Sequence, residues 1–331
     1  MKPWIIAEAA QGYEGSADIA ELLVRAAGRA GADAVKFQIV FADDLAQPGY
    51  QHFELFGTLE MSETDWRRVR KTAEALKIAF IADVFGPRSV EVARQIAVDG
   101  VKLHSTTFFD EETNRATFDL GVPVYASVGG ITADEISAML DRLSLEHKSR
   151  LRLLYGYQSE PTPIEDNNLA RVRSLRELTG LEVGFMDHTD GGGPDHIALS
   201  VMALGMGIRI FEKHITLDRG LKMEDFVSAL ATEEFREYVT TLQRLAAAIG
   251  DDTLELREEE QVYRQNVLKR ATAARDLEAG TVIGLEDISL LRAAGPDGAV
   301  DSTQLIGGTL VRAVCAGDAI NISDLKWHQG D

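Results

Sequence analysis

Two histidines, His188 and His214, each close a short apolar run, LEVGFMDH over 181–188 and IRIFEKH over 208–214. Both runs read as β-strands, and the stretch between them has helical spacing. The imidazoles therefore end consecutive parallel strands. That sets two neutral nitrogen ligands side by side at one rim of a sheet, where a divalent metal can sit. Other chemistry-bearing residues fall near the ends of further strand-like runs: Glu8, Lys36 with Gln38, Asp83, Lys102 with Ser105, Ser127 and Gln158. A lysine inside a strand is costly unless it meets an anion. Lys36 and Lys102 thus suggest a phosphate or carboxylate ligand held by two point charges. Gly129 and Gly130, just after Ser127, offer exposed amides as further donors.

Each residue alone has a plainer explanation. A strand lysine can snorkel from an edge, and a histidine can cap a strand through its backbone bonds. Asp187 and Thr189 can simply stabilise a turn, and Gly191–Gly193 can be an ordinary loop. His52, His147, His196 and His328 read as surface residues, while His104 lies close enough to the rim to be either. Joint occurrence at one end of one structure favours an active site.

The elements that must position these residues alternate at a steady beat. Strand-like runs at 3–8, 33–38, 78–85, 100–105, 122–128, 150–158, 181–188 and 208–214 are separated by amphipathic stretches, the last helix covering 233–250. Thr132 with Glu135 forms a capping box at the head of the helix over 131–143. The segment 40–62 reads as one long loop and hence a candidate lid. Eight such units predict an α/β fold, a closed (β/α)₈ TIM barrel over 1–250 with its site at the strand ends. An open dinucleotide-binding sheet would show a glycine-rich turn after the first strand, and EAAQGYEGS lacks the G-x-G-x-x-G spacing. Residues 251–266 read as an acidic linker, and 267–331 as a small β-rich domain. Within it ARDLEAGTVIGLEDI and RAVCAGDAINISDL repeat one half-motif.

Composition narrows the partners. The 331 residues are 45% hydrophobic and carry a net charge of −19, which disfavours nucleic acid or an anionic membrane. An anionic substrate must then be drawn by local cations. Cys315 is the single cysteine, so no disulfide forms within the chain. No run approaches a membrane span, and the apolar start is too short for a signal segment. A cytoplasmic enzyme acting on small molecules is expected.

IAE at 6–8, GADAVKFQ at 31–38, PTPIEDNNL at 161–169, DHT at 187–189 and EKHITLDR at 212–219 resemble the sialic acid (N-acetylneuraminate) synthase family. KRATAARDLEAGTVI and LLRAAGPDG resemble that family's antifreeze-like, or SAF, domain. The resemblance spans nearly the whole chain. It implies a metal-dependent transferase that condenses phosphoenolpyruvate with an N-acyl amino-hexose to a nonulosonic 2-keto acid and phosphate. It also implies a homodimer in which each SAF domain covers the partner's active site. By the same resemblance His188 and His214 are ligands of Mn²⁺, with Mg²⁺ or Co²⁺ as alternatives. Lys36, Lys102, Ser105, Ser127 and Gln158 contact phosphoenolpyruvate, Glu8 moves a proton near the sugar's reacting end, Asp225 holds sugar hydroxyls, and Arg292 reaches the N-acyl group of the neighbouring subunit. Gln38 and Asp83 complete the substrate-binding rim.

The chain departs from the family at Gly12-Tyr13, at Tyr155, Gly156 and Tyr157, at Met186 and at Lys222-Met223-Glu224. These changes are expected where substrate is held. They leave open the identity of the sugar, with legionaminic-, pseudaminic- or other nonulosonic-type acids as plausible as N-acetylneuraminate, and kinship is expected with a divergent branch of the family named for spore-coat polysaccharide synthesis. A catalytically degenerate sugar-binding homologue and a barrel synthase using a phosphorylated aldose remain as other readings.

Overall fold

Residues 2–292 and 295–327 are described by the structure, a computed structural model, so His328 lies outside the described residues. The chain divides into two compact units, Met1–Gly250 and Asp251–Asp331.

In the first unit strict two-residue alternation builds the strands. Ile5, Ala7, Val35, Phe37, Phe80, Ala82, Val101, Leu103, Leu153 and Phe185 turn outward and pack in the core formed with the surrounding helices. Ile6, Ala34, Ile81, Tyr125, Leu154, Met186 and Ile210 turn inward and form a second apolar cluster. The strands are β1 (Trp4–Ala10), β2 (Ala34–Ile39), β3 (Ala79–Val84), β4 (Gly100–Leu103), β5 (Val124–Ser127), β6 (Leu151–Tyr155), β7 (Val183–Asp187) and β8 (Ile210–Thr216). Neighbours pair in sequence order and β8 pairs in parallel with β1, closing the predicted barrel. A two-residue β9 (Leu230–Ala231) extends it beside β8.

The helices between strands obey their end signals. Ser16 caps Ala17–Ala30 through the Ile19 N–H, and Gly31 ends it at φ 85°. The predicted capping box is present: the Thr132 hydroxyl accepts from the Glu135 N–H, and the Glu135 carboxylate accepts from the Thr132 N–H. The segment 40–62 differs from expectation. It contains two helices, Ala42–Leu45 and Phe53–Leu59, because Phe41, Leu59 and Met61 find burial and the Glu60 carboxylate accepts the Ala42 N–H at 2.9 Å. Among the described residues no helix is long and apolar enough to cross a membrane.

The first helix of the second unit, Glu258–Val267, starts within the predicted linker, ends one residue past it and buries none of its residues. Two antiparallel pairs follow, β10 (Arg270–Ala273) with β11 (Ile288–Leu291) and β12 (Thr309–Leu310) with β13 (Leu325–Lys326). Ala271, Leu277, Ile283, Leu305, Leu310, Val314 and Ile320 form its small core. The repeated half-motif has a structural counterpart. Gly280 and Gly317 turn at φ 91° and 87°. Each half then folds a short 3₁₀ turn, Leu285–Asp287 and Ile322–Asp324. Arg275 pairs with Asp287 at 2.6 Å and Arg312 with Asp324 at 2.7 Å.

Candidate active site

Alternation carries the inward stripe upward from the apolar cluster into charged residues. Strand register sets Glu8 beside Lys36 on β2 and beside His214 on β8. It also sets Asp83 beside Gln38 and beside Lys102. The result is a buried ion cluster across the barrel. Lys36 Nζ pairs with Glu8 and lies 3.3 Å from Asp83 and 3.2 Å from Glu212. Lys102 Nζ donates to Glu212 at 2.9 Å and lies 3.4 Å from Asp83. Three carboxylates thus face two ammonium groups, every side chain at most 5% exposed. One oxygen each of Asp83 and Glu212 has no hydrogen-bond partner among the described residues.

Charge and burial act against each other here. Burial pushes Lys36 down to about 8, helped by Lys102 and opposed by Glu212 and Asp83. Burial works against the Lys102 charge too, but Glu212 and Asp83 outweigh it and hold the ammonium above its ordinary range. Burial likewise opposes the Glu212 charge, yet Lys102 and Lys36 pull that carboxyl down to about 2. The cluster thus holds the Lys102 ammonium charged, while burial works against the charge on Lys36.

Above it opens a cavity of about 380 Å³, lined by Glu8, Gln38, Lys102, Ser127, Gln158, Glu160, Met186, His188, Glu212, His214, Glu224 and Asp225 among others. The His188 and His214 rings stand 5.6 Å apart, centroid to centroid. His188 Nδ1 lies 3.0 Å from the Tyr157 carbonyl, so that nitrogen carries the proton and Nε2 keeps its lone pair. Burial lowers both imidazoles, His214 to about 3. Glu160 Oε1 stands 3.7 Å from His214 Nε2, and Asp225 Oδ2 stands 3.8 Å from His214 Nδ1. Burial and the neighbouring Asp225 push Glu160 up to about 9. One donor atom from each of Glu160, His214 and Asp225 lies within 4.8 Å of the others. Neutral imidazoles and carboxylates gathered at that spacing suit a divalent cation. The loop that delivers Asp225 is strained at that residue, whose φ is 62°.

Behind the histidines, on the outer face of β7 and β8, Lys213 donates to Asp187 at 3.0 Å and to the Thr189 carbonyl at 2.9 Å. Asp187 also accepts from the Thr189 N–H and the Ser200 hydroxyl, and Tyr238 donates to Ser200 at 2.9 Å. Each histidine therefore follows directly on a residue of this locked network.

Of the residues singled out from sequence, Glu8, Gln38, Lys102, Ser127, Gln158, His188, His214 and Asp225 share the cavity wall. Lys36 and Asp83 sit in the ion cluster and do not line the cavity. Ser105 starts the turn after β4, half-buried and outside the lining. Arg292 belongs to the second unit and is exposed there. Gly129 has its own reason: a Cβ there would stand 2.4 Å from both Gln158 Nε2 and the Gly156 carbonyl. The Gly191 and Gly192 amides are spent on Val227 and Asp190, which leaves a plain loop.

Two of the departures are not where they were expected. Tyr13 is buried against Phe37 and Trp66 and donates to the Gln38 carbonyl at 3.0 Å. Tyr155 is buried in the core cluster shared with the helices. Met186 does line the cavity, and the Tyr157 carbonyl holds His188. Glu224, one of the departures expected where substrate is held, does line the cavity; sequence reasoning missed Glu212 and Glu160 and left His104 open. His104 lines the cavity against Phe85, and burial takes it down to about 4.

Comparison with known proteins agrees with this architecture. The chain is 28% identical to the N,N'-diacetyllegionaminic acid synthase of Legionella pneumophila, covering 97% of this chain and 94% of that protein. It is 27% identical to the pseudaminic acid synthase of Campylobacter jejuni, covering 98% and 97%. Its fold matches the solved N-acetylneuraminic acid (sialic acid) synthetase of Leptospira borgpetersenii at a TM-score of 0.72 and 25% identity, over 80% of this chain and 90% of that one. Residues 271–326 match the SAF domain. Residues 23–253 match the NeuB family, and the chain belongs to that family.

Proposed function

We propose that this chain is a synthase that joins phosphoenolpyruvate to an N-acyl amino-hexose, releasing phosphate and leaving a nonulosonic 2-keto acid. The observation that carries the proposal is the buried pair Lys36 and Lys102 directly below His188 and His214. An anion in the cavity meets the Lys102 ammonium, with Lys36 buried behind it, next to a site for a polarising cation. The acid synthases among its relatives support the same class of product.

In this reading Lys102, which lines the cavity, meets an anionic end of phosphoenolpyruvate, Lys36 supports that charge from behind through Asp83 and Glu212, and the Ser127 hydroxyl adds a donor. His188, through Nε2, and His214 would hold a divalent metal, Mn²⁺ by preference, which supplies Lewis-acid polarisation of the sugar's aldehyde oxygen when bound. The enol carbon C3 forms a bond to the aldehyde carbon with the C2–C3 π pair, while the aldehyde π pair moves onto its oxygen, which takes up a proton to become a hydroxyl. Water adds at the electron-poor C2 and loses one proton, and the new C2 hydroxyl then gives up its own as the original C2–O ester bond breaks, leaving the keto group and phosphate. Glu8, held by the Ala10 N–H at 2.7 Å, is positioned to take the proton of that water. Gln158 adds a contact to phosphoenolpyruvate, Gln38 completes the substrate wall, and Asp225 accepts from the sugar's hydroxyls. The proposal extends to a homodimer in which Arg292 serves the partner's site.

Among the described residues lining the cavity Lys102 is the one lysine or arginine, which leaves no second cation there for an acceptor carrying a phosphate of its own. The test is phosphate release with Mn²⁺, phosphoenolpyruvate and a panel of N-acyl hexoses. Release with at least one sugar is expected. Silence with every sugar, together with no phosphoenolpyruvate binding, would leave a non-catalytic sugar-binding homologue instead.

A further inference from the structure

We propose that Glu160 is a direct ligand of the divalent cation, so that this chain holds it in a mixed imidazole–carboxylate centre and not by two histidines alone. The inference rests on the metal-dependent reading above and names one more protein ligand for it. Glu160 Oε1 lies 3.7 Å from His214 Nε2, and with an Asp225 oxygen the three donors fall within 4.8 Å of one another. Ligands about 2.1–2.3 Å from a shared ion span that separation with little adjustment.

A second observation concerns His214. The residue is 6% exposed, and among the described residues neither ring nitrogen is within hydrogen-bonding distance of a partner. Its near polar neighbours are the two carboxylates. Two carboxyl groups set side by side, next to an imidazole nitrogen that bonds no protein group, leave a place that one cation fills.

The loop that brings Glu160 inward is anchored for the purpose. The Thr162 N–H donates to the His188 carbonyl at 2.8 Å, and the Thr162 hydroxyl donates to the Ser159 carbonyl at 2.6 Å. The same loop supplies the Tyr157 carbonyl that fixes the His188 tautomer. Glu160 is therefore tied to both imidazoles through one short segment.

The experiment is Mn²⁺ titration of the full chain, stripped with chelator, by calorimetry and by loss of the free-ion EPR signal. Glu160→Gln and Glu160→Ala are each expected to lose at least about tenfold in Mn²⁺ affinity, the loss seen when a metal site is weakened. Both should keep the melting temperature of the chelated protein, because burial and Asp225 hold the metal-free Glu160 carboxyl in its neutral form. Phosphoenolpyruvate binding without metal should be unchanged. Wild-type Mn²⁺ affinity in either variant that keeps its melting temperature overturns the proposal while leaving the metal reading intact. A wild-type chain that binds no Mn²⁺ overturns both, which keeps the two failures apart.

Discussion

Two buried charge clusters belong to the wall of the barrel, one on the outer face of β7 and β8 and one inside, and they are bonded differently. Outside, Lys213 has three acceptors in reach, on Asp187 and Thr189, and Asp187 is filled by Lys213, Thr189 and Ser200. Inside, Lys36 and Lys102 share three carboxylates, and Asp83 and Glu212 each keep an oxygen without a partner. Both clusters are shielded from water, so burial does not separate them. Saturation does. A filled network fixes strands, whereas a buried cluster with spare valence and surplus negative charge is costly unless another group completes it.

That contrast can be broken by mutation. Lys213→Met should cost the most, about 3–5 kcal/mol of barrel stability, because it strands a buried Asp187 charge. Urea unfolding measures it, and a loss under about 1 kcal/mol would erase the distinction. Asp83→Asn should behave oppositely: it leaves two carboxylates for two ammonium groups, so stability should hold within about 1 kcal/mol or rise. Its phosphate release should fall by about tenfold or more, since Lys36 and Lys102 lose a shared anchor, equivalent to about 1.4 kcal/mol of barrier. Tyr238→Phe removes one donor to Ser200 at the outer network's edge and should cost about 1 kcal/mol with little change in turnover.

The smallest effect is a pH dependence. Burial opposes the Asp187 charge, but Lys213 and Thr189 hold its carboxyl below the ordinary value of 3.8. The folded state therefore favours the ionised form. Its stabilising contribution is present above about 3.8 and is lost as pH falls through the lower folded value. Acid titration of stability in wild type and Lys213→Met should differ in that window and converge below it. Parallel curves would contradict the assignment.

Much of the site is readable from strand period alone. His188 stands directly after β7, whereas β8 runs two residues past His214, and Lys36, Asp83 and Lys102 follow from the same alternation. Glu212 was available by that rule, since it stands two residues before His214 on the same face. Tyr155 could have been turned away from the site likewise, because Leu154 before it faces inward. Glu160 could not be found this way. Its position is set by the loop bonds of Thr162 and Ser159, which no periodicity announces. The segment 40–62 hid its helices for a related reason: pieces of four and seven residues are too short to display a helical repeat.

The paired clips of the second unit have a practical consequence. Arg275 with Asp287 and Arg312 with Asp324 are the same device at the same separation along the chain, one per half. The molecule thus contains its own replicate: whatever breaking one clip does to local hydrogen exchange can be judged against its twin, in the same tube and at the same instant.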